Sequence, residues 1–191
     1  MTQQITSFQN SKVKQVKKLR DKRERERAGR FVIEYSRDLE RALECGYTID
    51  YVLYCAALAD ADDEHLLAMI DMDKVFVVSE QIMGKVSYRQ NPNGLVAVMH
   101  SKPVKSIDEL YKLADTYVLA LVGLEKPGNI GALLRTADAA GVGAILLVDT
   151  SLDLYNPNII RSSTGACFLD NVYIVSREQA IVFFQERDYT I

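Results

Sequence analysis

The sequence predicts an α/β protein in two parts: a small α/β unit, then a unit built on a parallel sheet. Three observations predict it. Strand-like and helix-like segments alternate over residues 31–99, the pattern of a sheet covered by helices. Two nearly all-apolar runs, 117–122 and 143–148, read as parallel strands buried on both faces. Between them Leu121–Gly141, LVGLEKPGNIGALLRTADAAG, joins an apolar strand through a Pro-Gly-Asn turn to a helix carrying one arginine.

The elements follow in order. In residues 1–30 Val13, Val16 and Leu19 recur at helical spacing between lysines, which predicts an amphipathic helix; the stretch RDKRERERAGR stops at Gly29. Phe31–Glu34 is a strand. Ser36–Cys45 is a helix with Leu39, Ala42 and Leu43 on one face and Gly46 as its C-cap. Ile49–Cys55 is strand-like, Asp62–Ile70 a helix, Lys74–Val78 a strand and Glu80–Lys85 a short helix. NPNG, residues 91–94, is a turn before the strand Leu95–Met99. A linker at His100–Ser106 leads to a helix at Ile107–Ala114, a strand at Tyr117–Val122, a helix at Gly128–Ala140 and a strand at Gly143–Val148. A turn at Leu154–Pro157 enters the segment Asn158–Phe168. Val172–Val175 is a strand, Arg177–Glu186 a helix, and Asp188–Ile191 opens a further strand. Three zones result: a basic arm (1–30), a small α/β domain (31–100) and a parallel-sheet domain (101–191).

Composition narrows the function. The 191 residues are 48% hydrophobic and 26% charged, as in ordinary globular proteins. No apolar run nears the ~20 residues of a membrane helix, and the charged N-terminus lacks the apolar core of a secretory signal. Three scattered cysteines, two histidines and no CxxC pair predict neither a disulfide framework nor a metal site, and fit a reducing cytoplasm. The net charge of −3 hides an asymmetry: residues 1–30 hold ten Lys and Arg against three acidic residues. A basic arm on an acidic body points to a salt-sensitive polyanion contact through Lys12, Lys14, Lys17, Lys18 and Arg20. The alternative is a solvated helix whose charges serve solubility.

Two constellations carry chemistry. In the first, Pro127-Gly128 turns the chain at the carboxyl end of a strand, where open α/β sheets place ligands. Asn129 is placed to cap the next helix, and Gly131 leaves room for a close backbone or ligand. Ile130, Leu133, Leu134 and Ala137 form the packing stripe. Arg135 falls off that stripe, where its guanidinium can hold a phosphate or stabilise an oxyanion; the alternative is a plain surface arginine. In the second, LYNPNIIRSSTGACF (154–168), Asn158 is a candidate cap and Arg161 sits one turn inside, able to join Arg135 in one anionic groove. Its alternative is a loop-to-helix connector. Tyr88, Arg89 and Gln90 read as a plain loop ahead of a nucleotide contact, and His65 and His100 as surface residues. The GxGxxG fingerprint, a P-loop and a Ser–His–Asp set are missing from the sequence, which argues against dinucleotide-binding and hydrolase readings.

At these residues the chain resembles a known family. GNIGALLRTADAAGV is similar to the first signature motif of the SpoU (TrmH-like) branch of the SPOUT RNA 2′-O-ribose methyltransferases, and LYNPNIIRSSTGACF to the segment that follows it. FVIEYSRDLERALECGYTIDYVLYC and VFVVSEQIMGKVSYRQNPNGLVAVM resemble the small substrate-binding domain preceding many of these enzymes, with Tyr35 where the family usually has glycine. The resemblance implies methylation of a ribose 2′-hydroxyl in ribosomal or transfer RNA, with S-adenosylmethionine as donor, Arg135 as the catalytic arginine, Asn129 positioning it or the ribose, and Arg161 gripping RNA. It also implies a homodimer in the parent family. The family's two later motifs, which tie a trefoil knot and form most of the cofactor pocket, do not follow. The expectation is therefore the front part of such an enzyme, with a SPOUT-like methyltransferase domain truncated, the knot absent, cofactor-binding residues unassigned and weak or no cofactor binding. The rival reading is a non-catalytic RNA-binding module that has lost the cofactor half.

Overall fold

A computed structural model describes residues 3–113 and 116–190. The first part contains β1 (Gln3–Ile5), α1 (Ser11–Lys18), α2 (Lys22–Ala28), β2 (Arg30–Ile33), α3 (Ser36–Glu44), β3 (Ile49–Tyr54), α4 (Ala61–Leu67), β4 (Val75–Val78), α5 (Glu80–Val86) and β5 (Leu95–His100). Its five strands lie in the order β1-β4-β3-β5-β2. β4 runs parallel to both neighbours, and β5 is antiparallel to β3 and β2.

Successive strand residues point to opposite faces, and the core divides accordingly. Tyr51, Leu53, Val96 and Val98 pack with Val13, Val16, Ile82 and Met83 from α1 and α5. Val52, Tyr54, Leu95, Ala97 and Met99 pack with Leu39, Ala42 and Leu66 from α3 and α4. Residues 3–28, read from the sequence as a basic arm with an amphipathic helix, pack onto this sheet. β1 pairs with β4, and the apolar residues among the lysines, Val13, Val16 and Leu19, are buried. Gln3–Ile5 escaped sequence reading because three residues show no periodicity. Gly29 ends α2 in the left-handed region (φ +60°), as its position predicted.

The second part contains α6 (Ile107–Leu110), β6 (Val118–Val122), α7 (Pro127–Ala139), β7 (Ala144–Val148), α8 (Pro157–Ser163), β8 (Val172–Val175) and α9 (Arg177–Glu186). Its sheet, β6-β7-β8, is parallel throughout. Ala144, Leu146, Val148 and Tyr173 face α6 and α9, packing on Leu110, Ala180 and Phe183. The opposite face packs on Ile130, Leu134 and Ala137 of α7 and Ile159 of α8. Two local expectations fail. α6 ends at Leu110, with Ala114 outside the described residues. Asp188–Thr190 form no strand: Asp188 and Tyr189 donate backbone hydrogen bonds back into the end of α9, and Ile191 lies outside the described residues.

One core joins the two parts. Phe31, wholly buried, stacks on Tyr155 at 4.3 Å between centroids and also meets Tyr47 and Phe168. The Tyr155 hydroxyl accepts from the Lys102 backbone N–H (2.9 Å) and donates to its carbonyl (3.1 Å). This fixes the 101–106 connection against the second part. Burial raises the pKa of the Tyr47 and Tyr155 phenols, so both stay neutral hydrogen-bonding groups.

Candidate functional site

Between the first sheet and α8 lies a cleft of about 430 Å³, within the ~300–1,000 Å³ usual for ligand sites. α1, α3, β2 and the loop after α5 form one side, and Pro157, Asn158, Ile160 and Arg161 of α8 the other. Glu34 shapes the loop. Its carboxylate accepts from the Ser87 hydroxyl and the Tyr88 N–H, both at 2.7 Å, and its carbonyl accepts from Asn93 Nδ2 at 2.9 Å. Arg89 lies over the Tyr35 ring (4.5 Å) and donates to Asn93 Oδ1. Tyr35, the departure from the family's glycine, has φ −121°, extended backbone that any residue adopts. The turn geometry is therefore unstrained there.

Asp38 is fully buried on the wall of this cleft. Its Oδ1 accepts from Arg37, while Oδ2 has no hydrogen-bond partner among the described residues. Burial raises its pKa from the ordinary 3.8 to about 6, against the lowering effect of Arg37. The sign follows: between these values the folded protein keeps a proton the unfolded chain has lost, so stability falls as pH rises. Below 3.8 there is no effect, and above about 6 the loss is complete. Asp38→Asn should remove this loss, giving a gain over the wild type that grows from pH 4 to a plateau of ~2–3 kcal/mol above pH 7. Urea unfolding at several pH values reads it directly, and a gain independent of pH would reject the assignment.

The predicted residues do not converge on one groove. Arg161 lines the cleft and Arg135 does not. α8 is capped by Asn156, whose Oδ1 accepts from the Asn158 N–H, and not by Asn158; Pro157 takes the first helical position. α7 likewise begins at Pro127, so Asn129 is its third residue, exposed and not its cap. Arg135 is exposed, without an ion pair or hydrogen bond among the described residues. Six positions separate it from Asn129, about 9 Å along the axis and about 120° around it, and no hydrogen bond joins them.

Arg135 lies one turn beyond Gly131, on the side of α7 that meets α8. A Cβ at Gly131 would come within 2.7 Å of the Ile159 carbonyl oxygen and 2.8 Å of the Ser163 nitrogen, so the expected close approach is to the α8 backbone. Beyond the carboxyl end of β6 the chain is open: a Cβ at Gly123, or at Gly128 in the first turn of α7, would meet nothing within 4 Å.

Of the basic candidates, Lys14, Lys17 and Lys18 are exposed on α1. Lys12 instead lies over the Tyr51 and Phe76 rings, at 4.2 and 4.4 Å. Arg20 donates to the Val86 and Ser87 carbonyls while lining the cleft. Sequence reading had set Tyr88, Arg89 and Gln90 aside as a plain loop, yet they line the cleft too. Asp38 was missed, although a signal existed: it precedes Ala42 by one turn, on the apolar face of its helix.

A family model for the SpoU rRNA methylase family matches residues 116–191, and one for an MRM3-like substrate-binding domain matches residues 10–97. The crystal structure of an RNA 2′-O ribose methyltransferase is 33% identical, with TM-score 0.83, over 97% of this chain and 70% of that one. The chain belongs to the SpoU methylase family. Among curated SpoU relatives, the 23S rRNA (guanosine(2553)-2′-O)-methyltransferase RlmP of Bacillus subtilis is 31% identical over 86% of this chain and 62% of its own length. The chain spans about 60% of the length of the first such relatives. The AdoMet-bound rRNA methyltransferase of Sinorhizobium meliloti, 24% identical with TM-score 0.81 over 96% of this chain and 68% of that one, shares the SpoU fold. Asp149, at the end of β7, is already engaged by the Arg177 backbone N–H (2.9 Å) and side chain. The described residues do not enclose an adenosyl group.

Proposed function

We propose that the protein is an RNA 2′-O-ribose methyltransferase that takes its methyl group from S-adenosylmethionine and acts on ribosomal or transfer RNA. The observation that carries this reading is the strand–loop–helix unit of β6 and α7, held within a fold that matches an RNA 2′-O ribose methyltransferase across both sheets. We assign Arg135 to the catalytic rim. A guanidinium stays protonated at neutral pH, so its role is to orient the ribose 2′-oxygen and stabilise negative charge there and on the neighbouring phosphate. Asn129, exposed on the first turn of the same helix, holds the ribose or the loop. Lys14, Lys17, Lys18 and Arg161 supply RNA-backbone contacts, Arg20 contributes at the cleft wall, and Lys12 contributes through its alkyl stem and aromatic seat. The domain division is 31–100 for RNA choice, extended by the segment 1–30, and 101–191 for the methyltransferase part. A homodimer and a cytoplasmic location belong to the same reading; no described helix is long and apolar enough to cross a membrane.

The test is transfer of labelled methyl from S-adenosylmethionine to RNA by the full-length gene product. Label in alkali-resistant dinucleotides marks 2′-O-methylation; label on bases would refute it. RNA binding gives a second check. Replacing Lys14, Lys17 and Lys18 by glutamine should lower the log–log salt slope by about 2, at ~0.7 per lost single-strand contact. Anisotropy of labelled RNA over a salt series measures it, and an unchanged slope would remove α1 from the interface.

A further inference from the structure

The loop between α5 and β5 is clamped from two sides. Both oxygens of the Glu34 carboxylate are engaged, Oε2 by the Ser87 hydroxyl and Oε1 by the Tyr88 N–H, each at 2.7 Å. Arg20 Nη2 donates to the Val86 and Ser87 carbonyls at 3.1 and 2.5 Å. The backbone at Tyr88 is thereby fixed, yet its side chain lines the cleft and is 54% exposed. A ring left in water keeps apolar area available for contact, and a fixed backbone has already lost freedom that binding would otherwise cost.

The surroundings say what would cover that ring. Val16, Leu19, Val32, Val86 and Ile160 give the cleft apolar walls, which suit a flat ring. Three guanidinium groups, from Arg20, Arg89 and Arg161, stand against two carboxylates in the lining. Of those two, Glu34 has both oxygens engaged and Asp38 is buried against Arg37. Arg161 is exposed, without an ion pair among the described residues, and suits a phosphate. Helix α1, which lends Val16 to the cleft, presents the neighbouring Lys17 and Lys18 to solvent, so the cleft continues the basic surface.

We propose that the cleft takes the base of one unpaired nucleotide of the RNA, stacked on Tyr88, and that Glu34 is the residue positioning that ring. The inference rests on the RNA-substrate reading above and adds a contact to a base, which backbone contacts do not supply. No residue of β6 or α7 lines the cleft, so this nucleotide is a different one from that presented to Arg135.

The test is fluorescence anisotropy of the 191-residue protein with a fully paired RNA hairpin and with the same hairpin carrying one bulged adenosine. The wild type should bind the bulged hairpin about tenfold more tightly, the order expected of stacking one base on an aromatic side chain. Tyr88→Ala and Glu34→Ala should bring the ratio of the two affinities to about one. Tyr88→Phe keeps the ring, and Glu34→Gln keeps an acceptor for the Tyr88 N–H while the Ser87 hydroxyl turns to accept from the amide, so both should keep the preference. A third hairpin with an abasic ribose at the bulge removes the base without altering the protein and should lose the gain. Equal binding of all three hairpins by the wild type, a gain kept by the abasic bulge, or a preference that survives Tyr88→Ala would each overturn the inference while leaving RNA binding intact. Failure of the wild type to bind any hairpin at low salt would overturn both readings.

Discussion

Arg25→Ala is expected to lower the unfolding free energy by about 3–5 kcal/mol, the cost of breaking a buried ion pair from one side. Arg25 is 4% exposed, and its Nε donates to Asp153 Oδ2 at 2.6 Å. The same guanidinium donates through Nη1 to the Leu19 carbonyl at 2.7 Å and to the Arg20 carbonyl at 2.8 Å. One side chain therefore satisfies the turn between α1 and α2 and ties α2 to the loop after β7. Its loss strands a carboxylate that is itself 10% exposed, together with two backbone acceptors. The Asp153 Oδ1 bond from the Tyr155 N–H (2.8 Å) would remain. Urea unfolding of Arg25→Ala, Asp153→Asn and the double variant closes a mutant cycle, and additive losses would show that the pair carries no coupling. Because Arg25 joins residues 128 apart in sequence, loosening should also appear as faster proteolysis between the two parts.

Arg135→Ala is expected to reduce methyl transfer by at least two orders of magnitude in the full-length protein, the scale seen when a charge-stabilising donor is removed from a reacting centre. The unfolding midpoint should barely move. Arg135 is exposed and unpaired among the described residues, and surface substitutions of that kind stay within about 0.5 kcal/mol. Arg135→Lys should recover little, because an ammonium cannot reproduce the planar two-pronged donor. Near-normal turnover by the alanine variant would move the chemistry away from α7. A large fall in stability would instead reclassify Arg135 as a structural residue.

The order of strands and helices was largely legible because each rests on a local pattern. Leu95–Met99 and Ala144–Val148 announce themselves as apolar runs, and Val13, Val16 and Leu19 as a helical stripe. Tyr88 and Arg89 were not legible as site residues, because nothing adjacent in sequence says that Glu34, more than fifty positions away, folds their loop over a cleft. The caps failed at Asn129 and Asn158 for one shared reason. Proline at the first helical position has no N–H to satisfy, so in each case the helix starts earlier than an asparagine cap there would allow.

The chain carries its strand–loop–helix chemistry in its letters: Pro127 through Arg135 would be a turn and a polar helix rim in almost any sheet, because turn and periodicity are properties of neighbours. Which charges stay available is another matter. Lys12 sits on aromatic rings, Arg20 on carbonyls and Arg25 in a buried pair, while Lys14, Lys17 and Lys18 remain in water. That sorting, and the unmatched oxygen of Asp38, arise where segments tens of residues apart are pressed together. Desolvation is set by everything that surrounds a group, and no stretch of sequence contains its own surroundings.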